Sequence, residues 1–438
     1  MSLLSEIGMR LTAVCFVAGA VGMEISYAAP ADPCLPRAEL TKYETGNIVD
    51  VSSVSELHAA IGGLRDNTTI RLEAGTYALN ETLYIGRNNV TIIGSGSHCG
   101  DVRLVGSGMD NPNNSGVVHG VWTNAGSLKV VNLTIRDVFE HGVIINGSGD
   151  SPLIDSVHFI NTGTQFIKAN PQSYGVGVDN GVVQNSLFMY EQSPPTYDHG
   201  IGTGYTNGVD VHAGDGWVIR NNVFMNMHTP DSADFLWNPA VLMWNGASNT
   251  IVENNVFVDV DRAVAFGLGN RQGGPDHSNG IVRNNMIYYS SGLYSSSRSS
   301  SSDAAILVWD SPGSQVLHNT VITNGNINSA IEMRFETSGV QIVNNLTDAR
   351  ISSRAGEPFY SSSNFVNAAR ELFVNPDDGN LRIKSTALDV IDKADRAAGA
   401  EFDVDGEQRP AHLVDIGADE LSSISPPMPP GNIDAVPR

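Results

Sequence analysis

The sequence predicts an all-β protein, a right-handed parallel β-helix solenoid. Three observations lead to this: the composition, a degenerate internal repeat, and asparagine at one position of that repeat. Among the 438 residues, 41% are hydrophobic, only 16% are charged, and 45 are glycine. Long surface helices usually carry more Glu, Lys and Arg, whereas this mixture suits many short strands joined by tight turns.

The internal repeat is clearest in three near copies, VIRNNVF from Val218, IVENNVF from Ile251 and IVRNNMI from Ile281. Weaker copies lie on either side, and the alignment gives one equivalent position in each: Asn132, Ser156, Asn185, Asn221, Asn254, Asn284, Asn319 and Asn344. The step from Asn132 to Ser156 is 24 residues, and longer steps elsewhere leave room for loops. A short period with variable insertions is typical of the turns of a parallel β-helix.

Asparagine at the repeated position has a structural reason. Among residues with a side chain, Asn tolerates the left-handed backbone conformation that such a turn needs. Stacked coils place equivalent turns directly above one another. The sequence therefore predicts a ladder of asparagine amides along the solenoid.

The two ends of the chain differ from the repeats, as the ends of solenoids do. Residues 1–29 are typical of a signal peptide, with Arg10 before an apolar run and cleavage after Ala28 or Ala29, so a secreted or periplasmic protein is expected. A single β-helix domain is predicted over 30–420, with a short helical cap over 53–64, coils over about 88–350 and an irregular C-terminal cap over 351–420. The Pro-rich tail 421–438 is expected to be disordered.

The net charge of −22 limits the partners that the protein can have. Nucleic acids and anionic membrane surfaces bind basic proteins, so neither is expected, and no membrane insertion is predicted after signal cleavage. An acidic polysaccharide would need a locally basic groove or a bridging Ca²⁺ ion. No cofactor is predicted with certainty, calcium remains open, and the metal ligands are unknown. A monomer is expected.

Removal of the signal peptide leaves two cysteines, Cys34 and Cys99. In an oxidising compartment they form one disulfide that ties the mature N-terminus to an early coil, or they are two unrelated thiols. Two cysteines alone do not make a structural zinc site.

Three segments carry a resemblance to a known superfamily: the opening ELHAAIGGLRDNTTIRLEAGTY, the NN-type coils, and the closing DVDGEQRP and DIGADE. Together they resemble secreted bacterial right-handed β-helix proteins of the pectate-lyase-like superfamily, over roughly residues 45–420. The resemblance implies the fold. It leaves the reaction open, because that superfamily includes lyases, hydrolases, esterases, epimerases and non-catalytic tailspikes and adhesins.

A further strand is expected about ten residues before each repeated asparagine, and alternation along it separates inward from outward side chains. The predicted outward row contains Trp122, Asn146, Asp179, Asp210, His212, Trp244, Trp309 and Arg334. Exposed tryptophans in line across successive coils favour stacking against the sugar rings of a linear glycan. The alternative is that loops fold back and bury these indoles as a satellite core.

Asp210 and His212, two residues apart on one outward face, form a candidate acid/base pair. Neighbouring insertions add further candidates: Tyr205, Arg271, His199, His228 and Trp237.

Three functions remain open. The first is a polysaccharide lyase cleaving a uronate polymer, or a related C5-epimerase, with His212 or Tyr205 as the base and Arg271 or Arg334 neutralising the substrate carboxylate. The RxPxxR pattern of pectate lyases is not in the sequence. The second is a glycoside hydrolase that uses Asp179 and Asp210 as its two carboxylates. The third is a glycan-binding or surface protein without catalysis.

Overall fold

The computed structural model describes Cys34 and residues 37–114 and 116–421. The predicted signal peptide and nearly all of the predicted disordered tail lie outside these residues. In the part of the chain that is described, no helix is both long and apolar enough to cross a membrane.

Three parallel sheets run along the molecule, and each full coil gives one strand to each sheet. Sheet 1 contains Asn47–Val51, Thr68–Leu72, Thr91–Gly94, Lys129–Val138, Leu153–Thr162, Val182–Gln184, Val218–Arg220, Ile251–Glu253, Ile281–Arg283, Gln315–Leu317, Gln341–Val343 and Tyr360–Ser362. Sheet 2 contains Gly75–Ala78, Val102–Val105, Leu187–Met189, Val223–Met227, Val256–Val260, Met286–Tyr288, Thr320–Ile322 and Leu346–Thr347, and it shares the two long strands Lys129–Val138 and Leu153–Thr162 with sheet 1. Sheet 3 contains Leu83–Ile85, Val121–Thr123, Val143–Asn146, Ile167–Asn170, Val209–His212, Pro239–Trp244, Arg262–Phe266, Ala304–Trp309, Ser329–Arg334 and Arg350–Ser353.

This arrangement confirms the predicted right-handed parallel β-helix. The parallel pairing already begins at Asn47–Val51, earlier than the predicted start of the coils, and continues to Tyr360–Ser362. Short two-stranded pairs accompany the main sheets: Ala247–Ser248 with His277–Ser278, Phe373–Asn375 with Asn380–Ile383, and Ala394–Asp395 with His412–Val414.

The helices are short. The predicted N-terminal helix is present as Val54–Gly62, where the Ser53 side chain caps the first turn by accepting from the Glu56 N–H, and Leu57 is buried against the first coils. A second helix, Ser296–Ser301, lies in the serine-rich insertion. The remaining helical segments are 3₁₀ turns at Arg37–Tyr43, Cys99–Asp101, Arg370–Leu372 and Pro376–Asp378.

The core lies inside the solenoid and repeats from coil to coil. Phe159, Phe188, Phe224 and Phe257 are fully buried and nearly parallel, with successive ring centroids 5.0, 4.7 and 4.8 Å apart. The last three follow the repeated asparagine at a fixed distance, so the repeat that sets the turn also places an aromatic ring in these successive layers of the core.

The left-handed turn and the amide ladder were predicted at one residue, but in the NN pairs they belong to two successive residues. The first residue adopts the left-handed conformation, with φ near 55° at Asn221 and Asn254, and this turn position is held by His318, not Asn319, in a later coil. The second residue forms the ladder, for example from Asn222 Nδ2 to Asn255 Oδ1 at 3.0 Å. The buried amide ladder comprises Asn222, Asn255, Asn285, Asn319, Asn345 and Asn364. The predicted ladder therefore exists, but it lies one residue further along the chain in most coils.

Two terminal segments pack on the outer faces of sheets 1 and 2. The 3₁₀ segment Arg37–Tyr43 packs on early strands of sheet 1, and Cys34 beside it is joined to Cys99 by a disulfide with Cα atoms 5.4 Å apart. The C-terminal cap lies along the outer face of sheet 2, where Leu381 and Val414 cluster with Met286 and neighbouring residues. Neither segment packs on a strand of sheet 3 in these two clusters.

Candidate functional site

The outward side chains of the central coils of sheet 3 form a polar group that we call the Lys168 cluster: Lys168, Asp210, His212, Trp244 and Asn245. The strand register places Lys168 beside Asp210 and His212 beside Trp244. Lys168 Nζ lies 2.5 Å from Asp210 Oδ2 and 2.7 Å from His212 Nε2. The side chains of Lys168 and His212 are 12% and 16% exposed, so both can be reached from solvent.

Asp210 is the anchor of the Lys168 cluster. Its side chain is completely buried, and Trp244 Nε1 donates to its Oδ1 at 2.9 Å. Burial acts to raise its pKa, but attraction to Lys168 and the hydrogen bond with His212 outweigh burial and hold the pKa at about 2. Asp210 is therefore ionised and buried, which suits a role in holding Lys168 and His212 better than the predicted role in proton transfer.

His212 is held at both ring nitrogens. Its Nε2 faces Lys168 Nζ, which donates, and its Nδ1 lies 2.5 Å from the side-chain amide of Asn245. Nε2 also lies 3.5 Å from Asp210 Oδ1, so the donor and acceptor roles of the two ring nitrogens depend on the tautomer. The indole of Trp244, with its centroid 4.6 Å from that of the imidazole, covers one side. Nε2 thus lies between Lys168 Nζ and the buried carboxylate of Asp210.

Lys168 was not identified from the sequence. A strand at a constant distance before the next repeated asparagine would lie around Asp179, and the prediction therefore placed the outward residues of this coil there. An insertion over 171–181 separates the true strand, Ile167–Asn170, from sheet 1. The signal was present nonetheless, since Lys168 is the sole lysine between Lys129 and Lys384 and stands between two buried residues, Ile167 and Ala169.

Asp179 is outside the outward row. It lies on the turn that follows sheet 3, where its Oδ1 accepts from the Asp215 N–H at 2.9 Å and its own N–H donates to Asp150. These bonds link three successive coils. The predicted pairing of Asp179 with Asp210 on neighbouring strands was wrong, because the strand there carries Lys168.

The other predicted ionisable residues have defined partners. Tyr205 is hydrogen-bonded to Asp210, and burial followed by the charge of Asp210 raises its pKa, so it stays protonated. The Arg271 guanidinium pairs with Asp276 at 2.8 Å and lies 5.4 Å from the Trp244 ring, next to the Lys168 cluster. Arg334 is further along the sheet, over the rings of Trp309 and Phe335.

The predicted aromatic row is only partly available to a ligand. Trp122 is partly exposed and lies 5.8 Å from the ring of Tyr84, which is 55% exposed. Trp244 is partly buried within the Lys168 cluster. Trp309 is only 6% exposed, and its Nε1 donates to Glu332, so the prediction of an open indole there was wrong.

The remaining binding candidates lie in the loops before sheet 3. Trp237 is buried beneath Arg298, whose guanidinium is 4.8 Å from its ring, and therefore belongs to the core. His228 is partly buried beside Tyr294, and burial lowers its pKa. His199 packs against Phe139 with ring centroids 4.6 Å apart. None of these three contacts the Lys168 cluster among the contacts of the described residues.

Asn146, a predicted binding residue, has a neighbour that the sequence did not reveal. Asn170 Nδ2 donates to Asn146 Oδ1 at 2.9 Å, one coil apart, and both side chains are partly exposed. The two amides adjoin Lys168 and His212 on the side opposite Trp244. Together they extend a polar surface across the coils.

Three groups of side chains in the described residues have donor atoms close enough to hold a cation, and in one of them, Cys34, His98 and Cys99, the two sulfurs are joined in the disulfide. His119, Glu140 and His141 lie at the edge of sheet 3 where its strands begin, with one ligand atom from each within 4.8 Å of the others. Burial lowers the pKa of His119 to about 4 and that of His141 to about 3, so both rings are neutral at physiological pH. The third group, Asp403, Asp405 and Asp419, is in the C-terminal cap, where Arg382 pairs with Asp405.

Comparison with solved structures finds polysaccharide lyases. An alginate lyase from Paenibacillus sp. str. FPU-7 has 15% identity and a TM-score of 0.47, with 74% of this chain and 99% of that chain covered. The pectate lyase Pel9A has 12% identity, a TM-score of 0.49, and coverage of 88% and 99%. The PL6 family polysaccharide lyase Pedsa3628 from Pseudopedobacter saltans has 14% identity, a TM-score of 0.42, and coverage of 78% and 97%.

No family model and no curated protein matches the sequence. At these identities the structural likeness concerns the fold and not the reaction. In its fold the chain is similar to pectate and alginate lyases, as the resemblance to the pectate-lyase-like superfamily implies.

Proposed function

We propose that this protein is an exported polysaccharide lyase that cleaves a uronate polymer by β-elimination at the Lys168 cluster. The observation that carries the proposal is the pairing of an accessible ammonium with an accessible imidazole, 2.7 Å apart, on a buried carboxylate. β-Elimination needs a base near the C5 proton and a positive group at the uronate carboxylate. The Lys168 cluster supplies both within one sugar ring's reach.

His212 is the proposed base. Histidine is a common proton-transferring group in enzymes, and the His212 ring is partly exposed, with Lys168 Nζ 2.7 Å from its Nε2. In the reaction, Nε2 takes the C5 proton, the bond between C4 and the glycosidic oxygen breaks, and a double bond forms between C4 and C5. The leaving oxygen takes a proton from a solvent water molecule and departs as an alcohol, and the His212 imidazolium returns its proton to solvent.

Lys168 is the proposed partner of the substrate carboxylate. Because Asp210 stays ionised, it keeps a positive charge on Lys168 favourable. An incoming uronate carboxylate draws Nζ away from His212 and frees the imidazole for proton transfer. This role replaces the one assigned to Arg271 and Arg334 from the sequence, since both of those guanidiniums already lie against other groups.

The polar surface on one side of the Lys168 cluster fits a linear chain of sugars. Asn146 and Asn170 offer amide groups on one side, and Tyr84 and Trp122 offer exposed rings farther along. Neighbouring strands are about 4.8 Å apart, so a polymer lying across the coils meets a new strand roughly every 4.8 Å. Such a chain would occupy several coils and place one uronate at Lys168.

The same proposal includes export and a monomeric state. The disulfide between Cys34 and Cys99 supports export, because such bonds persist in oxidising compartments. Chelation in the activity assay tests for a requirement for calcium.

A non-catalytic glycan-binding protein is the alternative with its own support, since the exposed pair Tyr84 and Trp122 would serve binding equally well. A hydrolase has less support, because Asp179 is bound into a turn and Asp210 is buried.

The test is incubation of the full chain with alginate, pectate and a neutral glucan, with and without a chelator, while ultraviolet absorbance of unsaturated uronates is followed. We expect absorbance with at least one uronate polymer and none with the glucan. His212→Asn should lower the rate by about 10²–10⁴-fold. Lys168→Arg keeps a positive charge and should retain part of the activity, whereas Lys168→Met should not.

The matched control is Lys129→Met, which removes a partly buried lysine from a strand of sheet 1. Circular dichroism of every variant separates loss of activity from loss of fold. Reducing ends without absorbance would indicate a hydrolase, and tight binding without either product would indicate a binding protein. Full activity in His212→Asn would contradict the assignment of the base.

A further inference from the structure

We propose that His119, Glu140 and His141 form a binding site for a divalent transition-metal ion of the zinc class. The site lies outside the Lys168 cluster and does not depend on the lyase proposal. Its ligands come from two successive coils, at the edge where the strands of sheet 3 begin.

A short sequence motif that occurs twice builds the site. His-Gly-Val stands at 119–121 and again at 141–143, and each time the valine opens a strand of sheet 3. The backbone pairs these segments in register, with the Gly120 N–H donating to the His141 carbonyl at 2.9 Å. As a result the two imidazoles stack with centroids 5.1 Å apart and planes 4° from parallel.

The glycines of the motif are required by the close approach of the coils. A Cβ atom added at Gly120 would lie 2.5 Å from the Gly142 carbonyl oxygen, and one at Gly142 would lie 2.8 Å from the Phe166 carbonyl oxygen. Only glycine lets the backbone pass here. The histidine before each glycine therefore occupies the equivalent position in both coils, with its side chain on the same side of the solenoid.

The spacing of donor atoms fits an ion better than it fits a hydrogen bond. His119 Nδ1 lies 3.7 Å from Glu140 Oε2, which is too long for a hydrogen bond. Two ligands of a tetrahedral ion with bonds of about 2.0–2.1 Å lie about 3.3 Å apart, so a small movement of a side chain suffices. His119 Nδ1 is also buried and has no hydrogen-bond partner among the described residues.

The third ligand is already oriented. Thr164 Oγ1 lies 2.8 Å from His141 Nδ1, and this bond sets the ring, so we assign Nε2 to the ion. Hydrogen bonds of this kind behind a ligating histidine are a regular feature of metal sites. The Gln165 carbonyl is also hydrogen-bonded to the ring, so metal binding exchanges that bond for a coordination bond.

The donor set selects the class of metal. Two imidazoles and one carboxylate suit Zn²⁺, Co²⁺ or Ni²⁺, whereas Ca²⁺ and Mg²⁺ prefer oxygen ligands throughout. The Glu140 side chain is 32% exposed, so an ion can enter from solvent and keep a position open for water. Zinc is the ion we expect, with one exchangeable position.

The test uses the full chain without a histidine tag, stripped of metal and kept oxidised so that Cys34 and Cys99 do not bind zinc as thiols. Calorimetry with Zn²⁺ alone should give about one ion per chain, unaffected by excess Ca²⁺. Co²⁺ in its place should produce visible d–d bands. Zinc should also raise the unfolding temperature.

Glu140→Gln and His119→Gln should each weaken zinc binding more than about tenfold and abolish the rise in unfolding temperature. Glu140→Gln changes the most exposed ligand, so it remains informative if the histidine variant folds poorly. The matched control is His58→Gln, which removes a histidine that pairs with one carboxylate, Glu81, at 3.1 Å. The proposal would be overturned if the protein bound zinc no more tightly than a single surface histidine does. Equal zinc binding by wild type and Glu140→Gln would also overturn it.

Discussion

The outward face of sheet 3 is divided into two halves that have the same backbone and opposite chemistry. The polar half carries Asn146, Lys168, Asn170, Asp210 and His212, and the apolar half carries Leu242, Ala265, Leu307 and Trp309. The boundary falls between neighbouring strands, where Asp210 is in register with Leu242.

The two halves are covered differently. In the apolar half, the guanidiniums of Arg262, Arg334 and Arg354 lie over Trp309 at 5.9, 4.9 and 5.1 Å and close the surface. In the polar half, Lys168 and His212 remain partly exposed above a buried carboxylate. A solenoid repeats its backbone, so function is added by changing the outward residues of a few coils while the others keep a stabilising cover.

The strongest test of the difference between the halves is to place a side chain of the apolar half in the polar half. Asp210→Leu copies Leu242 and leaves the Lys168 ammonium without its carboxylate. We expect the free energy of unfolding to fall by about 3–5 kcal/mol, because one member of a buried ion pair stays unpaired. Urea denaturation with an unchanged m-value measures the loss.

The control is the double variant Asp210→Leu with Lys168→Met. The double variant removes the unpaired ammonium, so part of the lost stability should return, while the hydrogen bonds of Trp244 and Tyr205 to Asp210 stay broken and activity does not return. A double variant as unstable as Asp210→Leu alone would mean that the loss comes from packing and these hydrogen bonds and not from the unpaired charge.

Leu307→Ala tests the apolar half. Leu307 is fully buried beneath that surface, and its removal should cost about 2–3 kcal/mol, at the lower end for leucine because an outer face can close over the gap. Lyase activity should stay within about twofold of wild type, because the residue is not in the polar half. Activity lost without loss of stability would show that the substrate also uses the apolar half.

The loss of stability at low pH should also distinguish the wild type from the double variant, by a smaller amount. The pKa of Asp210 is lowered from 3.8 to about 2, so its ionisation stabilises the fold above pH 3.8, and this contribution is lost as the pH falls towards 2. The lowering corresponds to about 2 kcal/mol. Wild type should lose about that much more stability than the double variant over this interval in denaturation at stepped pH. Parallel curves for the two proteins would contradict an ionised Asp210.

The division between the halves explains what the sequence could and could not predict. Strand alternation placed Asp210, His212, Trp244 and Arg334 on the outward face, because alternation depends only on the pleat. It could not predict that Trp309 is covered, since the arginines over it come from other coils and from beyond the strand. Whether an outward side chain is covered depends on tertiary contacts, and the periodicity of the sequence carries no information about them.

Register was predictable only where no insertion intervenes. The repeated asparagines placed most coils, yet one insertion displaced Asp179 from the strand and hid Lys168. In a later coil the turn position is His318, whose φ is 51°, and Asn319 instead forms the ladder. Both Asn and His are found in the left-handed region, so composition alone could not separate the turn residue from the ladder residue.

The smallest expected effect concerns the open end of the polar half. Tyr84 is 55% exposed and pairs with Trp122, so Tyr84→Ala should leave stability within about 0.5 kcal/mol. If the pair holds a sugar ring away from the reacting uronate, KM for long polymers should rise several-fold, corresponding to about 1 kcal/mol, with kcat little changed. Short oligosaccharides that do not reach Tyr84 should be cleaved at the wild-type rate, and Trp309→Phe, in the covered half, should leave KM unchanged. An equal rise in KM for short and long substrates would show that Tyr84 acts on the Lys168 cluster itself, and the polar half would then be a single site instead of a groove with separate subsites.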